Sequence, residues 1–372
     1  MIYLDNAATS HPKAPGVPEA VAACLASGAG SPGRATHGPA LEAARTVFGA
    51  RTACARLLGL PDPARLVFTK NATEALNLAI LGAVPPGGTV AVSSLEHNAV
   101  MRPVRHLEAT LGARVLVVPF DACGRPDPGA LAGALEARPD LFVLTAASNV
   151  TGALPPVEEV AAACARHGVP LCVDASQAAG HLPLPTGCAY LAFPGHKGLL
   201  GPGGTGGLAL GPGVLPPPLL RGGTGSASEL ETQPEMLPDR YEAGTPNVPG
   251  LAGLARAVTY LAEAGPGPEG ALAAQLAEGL AALPGAALVG PGPRAPRAPV
   301  VSVALPDRDL GEVALALDRR GICARAGLHC APAAHRSLGT FGAGGTLRFS
   351  PGRFTTPADL ETALAALAEI LA

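Results

Sequence analysis

The chain has 372 residues, enough for one large two-part enzyme or two ordinary domains. Its 48% hydrophobic content supplies a sizeable core, and a formal net charge of −3 gives no long-range pull toward nucleic acid or an anionic membrane. No apolar run is long enough to span a bilayer, and no basic segment leading into an apolar one opens the chain, so a soluble, cytoplasmic protein is expected.

The 48 Gly and 40 Pro are dispersed among regular apolar segments rather than gathered in linkers. Lysine is scarce. Lys13, Lys70 and Lys197 are the only ones, so any lysine-dependent chemistry has three candidates. The eight cysteines (24, 54, 123, 164, 172, 188, 323 and 330) form no C-x-x-C pair, which supports neither a zinc site nor a disulfide framework. Cys54, Cys164 and Cys172 lie in apolar runs, where a small buried thiol is the plain expectation.

Through the first two thirds, short Val- and Leu-rich runs alternate with longer helical patterns. Residues 65–68 read as a strand before a helix at 73–81, and 90–92 as a strand before a helix at 97–111. Strands at 115–119 and 141–145, a helix at 157–167 and a strand at 169–173 continue the alternation. Such a chain predicts an α/β fold with a mostly parallel sheet covered by helices on both faces. Functional residues in that fold lie just past the carboxyl ends of strands. Asn71, Ala72, Thr73, Glu96, His97, Ser148, Asn149, Asp174 and Gln177 all fall there. After Gly250 the pattern becomes helices at 251–264 and 269–283, a strand at 300–305, a helix at 310–320, a strand at 346–350 and a closing helix at 357–371. The expected organisation is an N-terminal segment (1–14) packing on a small domain, a large domain (15–250) and a smaller α+β C-terminal domain (251–372).

Phe193-Pro194-Gly195-His196-Lys197-Gly198 precedes a glycine-rich stretch at 201–207. A lysine among glycines suits an anion-binding loop, a turn that presents an amine to a cofactor aldehyde, or an ordinary surface turn. It is not a P-loop, which needs G-K-[ST] opening a helix. Asp174 ends a strand, where a carboxylate either caps a helix or holds a protonated ring nitrogen. Gln177 either donates to a ring oxygen or completes a capping box, and Asn149 is either a polar contact or a turn residue. The turn around Asn71-Ala72-Thr73-Glu74 offers backbone N–H groups at a helix start, a usable phosphate cradle. His97 is either a cap over a planar ring or a structural histidine. Cys330 sits in a Gly/Pro-flanked loop beside His329 and near Arg325, where positive charge favours a thiolate. Arg348, eighteen positions on, is either a carboxylate clamp or a solvated strand-end arginine.

Taken in order, these segments resemble the signatures of the cysteine desulfurase family, pyridoxal-phosphate (PLP) enzymes of fold type I also called class V aminotransferases. The matching stretches are Tyr3-Leu4-Asp5-Asn6-Ala7-Ala8-Thr9, Asn71-Ala72-Thr73-Glu74-Ala75, Glu96-His97-Asn98, Ser148-Asn149-Val150-Thr151-Gly152, Asp174-Ala175-Ser176-Gln177, His196-Lys197, Glu242-Ala243-Gly244-Thr245-Pro246-Asn247, His329-Cys330 and Arg348-Phe349-Ser350. The resemblance implies that Lys197 carries pyridoxal 5'-phosphate and His97 stacks on its ring. Asp174 would pair with the ring nitrogen, with Gln177 and Asn149 near the ring oxygen. Ala72, Thr73 and His196 would hold the phosphate, helped by Thr245 from the second subunit of a homodimer. Asn149 and Arg348 would take the carboxylate of free cysteine or a related amino acid, and Cys330 would receive its sulfur for an acceptor protein, as in iron–sulfur cluster assembly. Family members usually carry Ser or Thr where this chain has Pro194, which cannot donate a side-chain hydrogen bond. The Cys330–Arg348 spacing resembles the short-loop group, which keeps selenocysteine lyase or another C–S lyase as an alternative; the tail from Arg348 to Thr356 resembles the long-loop group. A non-catalytic scaffold of the same fold is the reading from a different class.

Overall fold

The computed structural model describes residues 1–28, 30–33 and 36–372. Strand β1 (Ile2–Tyr3) opens the chain, followed by helices α1 (Val17–Ala26) and α2 (Gly38–Leu57). Then come β2 (Leu66–Thr69), α3 (Ala72–Ala83), β3 (Thr89–Ser93), α4 (Asn98–Leu111), β4 (Arg114–Val118) and α5 (Pro128–Glu136). They lead to β5 (Leu141–Thr145), α6 (Val157–His167), β6 (Leu171–Asp174), β7 (Tyr190–Pro194) and β8 (Gly206–Leu210).

β2 to β8 form one seven-stranded sheet in the order β2-β8-β7-β6-β5-β3-β4. All neighbours are parallel except β8, which runs antiparallel to both β2 and β7. β5 is buried along its whole length, as a strand covered by helices on both faces must be. Phe142 and Leu144 contribute to the core on one face, Leu141 and Val143 to that on the other. Burying each such side chain is worth about 1.5–3 kcal/mol. This is the expected α/β architecture, with β8 the antiparallel exception.

The rest of the chain runs α7 (Val248–Ala264), α8 (Glu269–Ala281), β9 (Ala287–Val289), β10 (Val301–Ala304) and α9 (Leu310–Asp318). It continues with β11 (Ile322–Cys323), β12 (Arg325–Gly327), α10 (Pro332–Ser337), β13 (Thr346–Phe349) and α11 (Pro357–Leu371). An antiparallel sheet of order β12-β13-β10-β9 carries a separate core with α8, α9 and α11, in which Leu4 also takes part. β1 pairs with β11 as a separate two-stranded sheet, and Asp5 bridges to Ser350 just past β13, so the N-terminal segment is stitched to this part of the chain. The segment also reaches the large sheet's side: Ser10 and Ala14 donate backbone N–H groups to His196 and Leu200.

α7 differs from the expectation that the second unit begins with it. Its buried residues Leu251, Leu254 and Val258 join the core of the seven-stranded sheet, and the helix packs on α1 and α2. Apolar periodicity defines a buried face but not the surface that covers it. Among the described residues, no helix is long and apolar enough to cross a membrane.

Candidate active site

Five segments meet at the carboxyl ends of the sheet's strands. A cavity there is lined by Asn71, Ala72 and Thr73 after β2; His97 after β3; Asn149 after β5; Asp174, Ser176 and Gln177 after β6; and Pro194, His196 and Lys197 after β7. Parallel neighbours end at one edge, which is why residues 71 to 197 converge.

The α3 end of the cavity is rich in N–H donors. Asn71 Oδ1 caps the helix by accepting the Glu74 N–H at 2.9 Å, and Ala72 and Thr73 open the first turn beside it. The free amides of that turn make an anion seat. Gly206 of β8 allows the turn to lie this close, since a Cβ there would come within 2.9 Å of the Asn71 backbone. Across the cup, His196 Nδ1 lies 3.1 Å from Thr9 Oγ1. Burial, reinforced by Lys197 and Lys13, holds the His196 pKa down at about 4. Lys13 Nζ donates to Thr9 Oγ1, Ser10 Oγ and the His196 carbonyl at 3.0–3.1 Å, tying the N-terminal segment to this wall. Pro194 ends β7 in the wall and adds no donor.

Lys197 lies in the turn after β7. Burial lowers its pKa to about 8, with Arg348 acting in the same direction and Asp174 and Cys330 opposing. An amine so placed is available as a base or nucleophile near neutrality. Asp174, 3% exposed at the end of β6, accepts the Ser176 N–H at 2.9 Å and keeps its place in the wall. Gln177 Nε2 donates to the Ala7 carbonyl at 3.0 Å.

His97 caps α4, its Nδ1 accepting the Ala99 N–H at 3.0 Å. Accepting at Nδ1 leaves the proton of the neutral ring on Nε2. Burial first, then the charges of Lys197 and Arg348, hold its pKa down at about 4. The preceding Glu96 is fully buried; its Oε1 accepts from Ser93 Oγ at 2.5 Å and from the Thr145 N–H at 2.8 Å. Among the described residues Glu96 Oε2 has no partner, and burial with Asp174 nearby raises the carboxyl pKa to about 8. A neutral carboxyl here clamps β3 to β5 directly under the cavity. Glu96 stands in the quoted strand-end motif, yet nothing in the sequence announces its complete burial.

Cys330 is exposed and opens on a groove that shares Thr73, His97 and Ala99 with the cavity. Its loop is held rather than loose. Asn149 Nδ2 donates to the His329 carbonyl at 2.8 Å, the Asn98 N–H to the Cys330 carbonyl at 2.8 Å, and His329 Nε2 meets Thr346 Oγ1 at 2.9 Å. These contacts hold two consecutive residues at positive φ, His329 at 48° and Cys330 at 56°, a conformation disfavoured for side chains with a Cβ.

Arg348 of β13 is 3% exposed and does not line the cavity itself. Its Nη1 donates to the Asn149 carbonyl and its Nη2 to Asp5 Oδ1, both at 3.0 Å. Thr245 is exposed in the loop before α7 and stands apart from its own chain's cavity. The site thus gathers Ala72, Thr73, His97, Asn149, Asp174, Gln177, His196 and Lys197, with Cys330 in the adjoining groove and Arg348 behind Asn149. Asp5 of the opening motif is the ion-pair partner of Arg348, a contact that no spacing in the sequence indicates.

These donors suit pyridoxal phosphate: an amine for its aldehyde, a buried carboxylate for its ring nitrogen and helix-start amides for its phosphate. An α/β sheet carrying such a set at one edge is the arrangement of fold-type I PLP enzymes. The family model for aminotransferase class V matches residues 2–362. A cysteine desulfurase of Cereibacter sphaeroides is 33% identical over an alignment of 386 positions, covering 100% of this chain and 95% of that protein. A probable cysteine desulfurase of Pseudomonas aeruginosa is 34% identical, covering 99% and 93%. The structure of the cysteine desulfurase from Thermococcus onnurineus NA1 superposes with a TM-score of 0.92 at 30% identity, covering 100% of this chain and 94% of that one. CsdA of Escherichia coli, another cysteine desulfurase, gives 0.87 at 29% identity with the same coverage. The chain belongs to the aminotransferase class-V family, within its cysteine desulfurase group.

Proposed function

We propose that the protein is a PLP-dependent cysteine desulfurase, converting L-cysteine to L-alanine and holding the sulfur on Cys330 as a persulfide for an acceptor protein. The observation that carries this reading is that the groove at Cys330 shares Thr73, His97 and Ala99 with the cavity of Lys197 and Asp174.

Lys197 would carry the cofactor, with His97 against the ring, Asp174 at the ring nitrogen, and Gln177 and Asn149 toward the ring oxygen. Ala72, Thr73 and His196 would take the phosphate together with the partner subunit's Thr245. When bound, the cofactor supplies an electron sink for charge developing next to the substrate nitrogen. Lys197 Nζ, with its lowered pKa, removes the proton from the substrate α-carbon. Asn149 and Arg348 orient the substrate carboxylate. The Cys330 thiolate attacks the substrate sulfur: a sulfur–sulfur bond forms, the carbon–sulfur bond breaks, and the electron pair stays with the β-carbon, which takes up a proton to become the methyl of alanine.

A homodimer in the cytoplasm, serving a sulfur acceptor of the iron–sulfur cluster assembly kind, completes the proposal. The eight unpaired cysteines accord with a reducing compartment. A second reading, a C–S lyase acting on selenocysteine or a cysteine conjugate without a persulfide, draws support from the anchored Cys330 loop, whose reach is short. The test is to assay alanine and sulfide from free cysteine with Cys330→Ala. Loss of sustained turnover supports the desulfurase; unchanged turnover supports the lyase. Visible absorbance that disappears in Lys197→Ala checks the cofactor, and its absence from the intact protein would instead indicate a scaffold.

A further inference from the structure

Arg325 and Arg348 are directly paired residues of β12 and β13, so their side chains leave one face of the sheet together. Two guanidinium groups side by side repel unless an anion lies between them. Asp5 is that anion. It is delivered by the N-terminal segment, which bridges in parallel to Ser350 and accepts the Ser350 N–H at the Leu4 carbonyl, 2.6 Å away. Arg325 Nε is shared between Asp5 Oδ2 at 3.0 Å and Oδ1 at 3.2 Å, Arg325 Nη2 donates to Oδ2 at 2.8 Å, and Arg348 Nη2 donates to Oδ1 at 3.0 Å.

The donors of Arg348 are unevenly used. Nη1 is spent on the Asn149 carbonyl, whereas Nε is buried and, among the described residues, without a partner. Nε and Nη2 form one edge of the guanidinium, and such an edge matches both oxygens of a single carboxylate. Asp5 gives that edge one oxygen only, because its other oxygen is turned to Arg325. Arg348 is therefore held by one hydrogen bond to Asp5, and Asp5 by three to a different arginine. The Arg325 side chain is 46% exposed and that of Arg348 is 3% exposed, so only the second is a desolvated seat for a small ligand.

We propose that Asp5 is a carboxylate latch: it occupies Arg348 until the α-carboxylate of the substrate takes the Nε–Nη2 edge, and Arg325 retains Asp5 after the exchange. The inference rests on the reading that Arg348 receives the substrate carboxylate. A latch of this kind lowers the apparent affinity for every ligand that must displace Asp5, in proportion to how firmly Asp5 is held. It also discriminates, since a ligand with a neutral amide has no charge with which to compete for Arg348.

Two substitutions pull in opposite directions. Asp5→Asn weakens the competitor and tightens carboxylate binding; Arg325→Ala removes the group that retains Asp5, leaves it on Arg348 and weakens carboxylate binding. A merely structural role for Asp5 would weaken binding in both. The holoenzyme is titrated calorimetrically with L-alanine and with L-alaninamide, neither of which has a sulfur to lose. Asp5→Asn is expected to tighten L-alanine about fivefold or more while leaving L-alaninamide unchanged, and Arg325→Ala to weaken L-alanine by a similar factor. Arg348→Gln, which removes the cation, serves as the control for the underlying reading, and should erase the preference for alanine over its amide. If that preference is erased but Asp5→Asn weakens or does not change L-alanine binding, the latch is wrong and the carboxylate role of Arg348 stands. If Arg348→Gln keeps the preference, the carboxylate role fails and the latch falls with it.

Discussion

Asn149 Nδ2 lies 2.8 Å from the carbonyl oxygen of His329, so a residue of the cavity wall also holds the residue that precedes Cys330. The large sheet and the small one are thereby joined at the point where a sulfur would leave the cavity. His329 and Cys330 both stand at positive φ, and the Asn149 bond is one of three that keep them there. Asn149→Ala leaves the buried His329 carbonyl without this donor, a cost of about 1–3 kcal/mol. The loop should relax: alkylation of Cys330 by iodoacetamide should accelerate, and sulfur loading from cysteine should drop. Unchanged alkylation would show that the other two bonds suffice.

Glu96 predicts a pH-dependent stability. Its carboxyl pKa is about 8 in the fold against 4.5 as the ordinary value, raised chiefly by burial. The folded state therefore keeps a proton that the unfolded chain releases above pH 4.5, and stability falls as pH rises from there to about 8. Glu96→Gln mimics the neutral carboxyl and retains an acceptor for Ser93 Oγ and the Thr145 N–H. Its melting temperature should match the parent's near pH 4.5 and exceed it near pH 8, by an amount on the order of a few kcal/mol in stability. A parallel decline in both proteins would place the pH dependence elsewhere.

The lowered pKa of Lys197 is accessible through labelling. With cofactor removed, reductive alkylation by a small aldehyde and cyanoborohydride should label Lys197 with a midpoint near pH 8, rather than near the ordinary 10.5. Lys13, also lowered to about 8 by burial, needs to be separated by peptide mapping. A Lys197 midpoint near 10.5 would mean that its surroundings do not suppress its charge.

Much of this site is legible in the sequence because parallel strands place their carboxyl ends at one edge. Polar residues following apolar runs, such as Asn71, His97, Asn149 and Asp174, are then neighbours whatever their separation in the chain. Partnerships between the sheets are not legible in that way. Asp5 meets Arg348 across 343 positions, and no periodicity links them. Nor does the spelling of Glu96 reveal that it is fully buried. Helix α2, with 20 residues, is muted in the sequence because much of its buried stripe is alanine, scarcely set off from the half-buried Ala44 and Ala53 beside it. For α7 the helix itself is evident, but its docking against α1 and α2 depends on surfaces that local pattern does not describe.

The central claim is that Cys330 takes the sulfur of cysteine. Its direct test is mass spectrometry of the Cys330 peptide after brief incubation of the holoenzyme with L-cysteine, without reductant. One added sulfur atom on Cys330, absent when Lys197 is replaced by Ala, is the predicted result. Alanine formed in step with free sulfide, with the Cys330 peptide unmodified throughout, would contradict it.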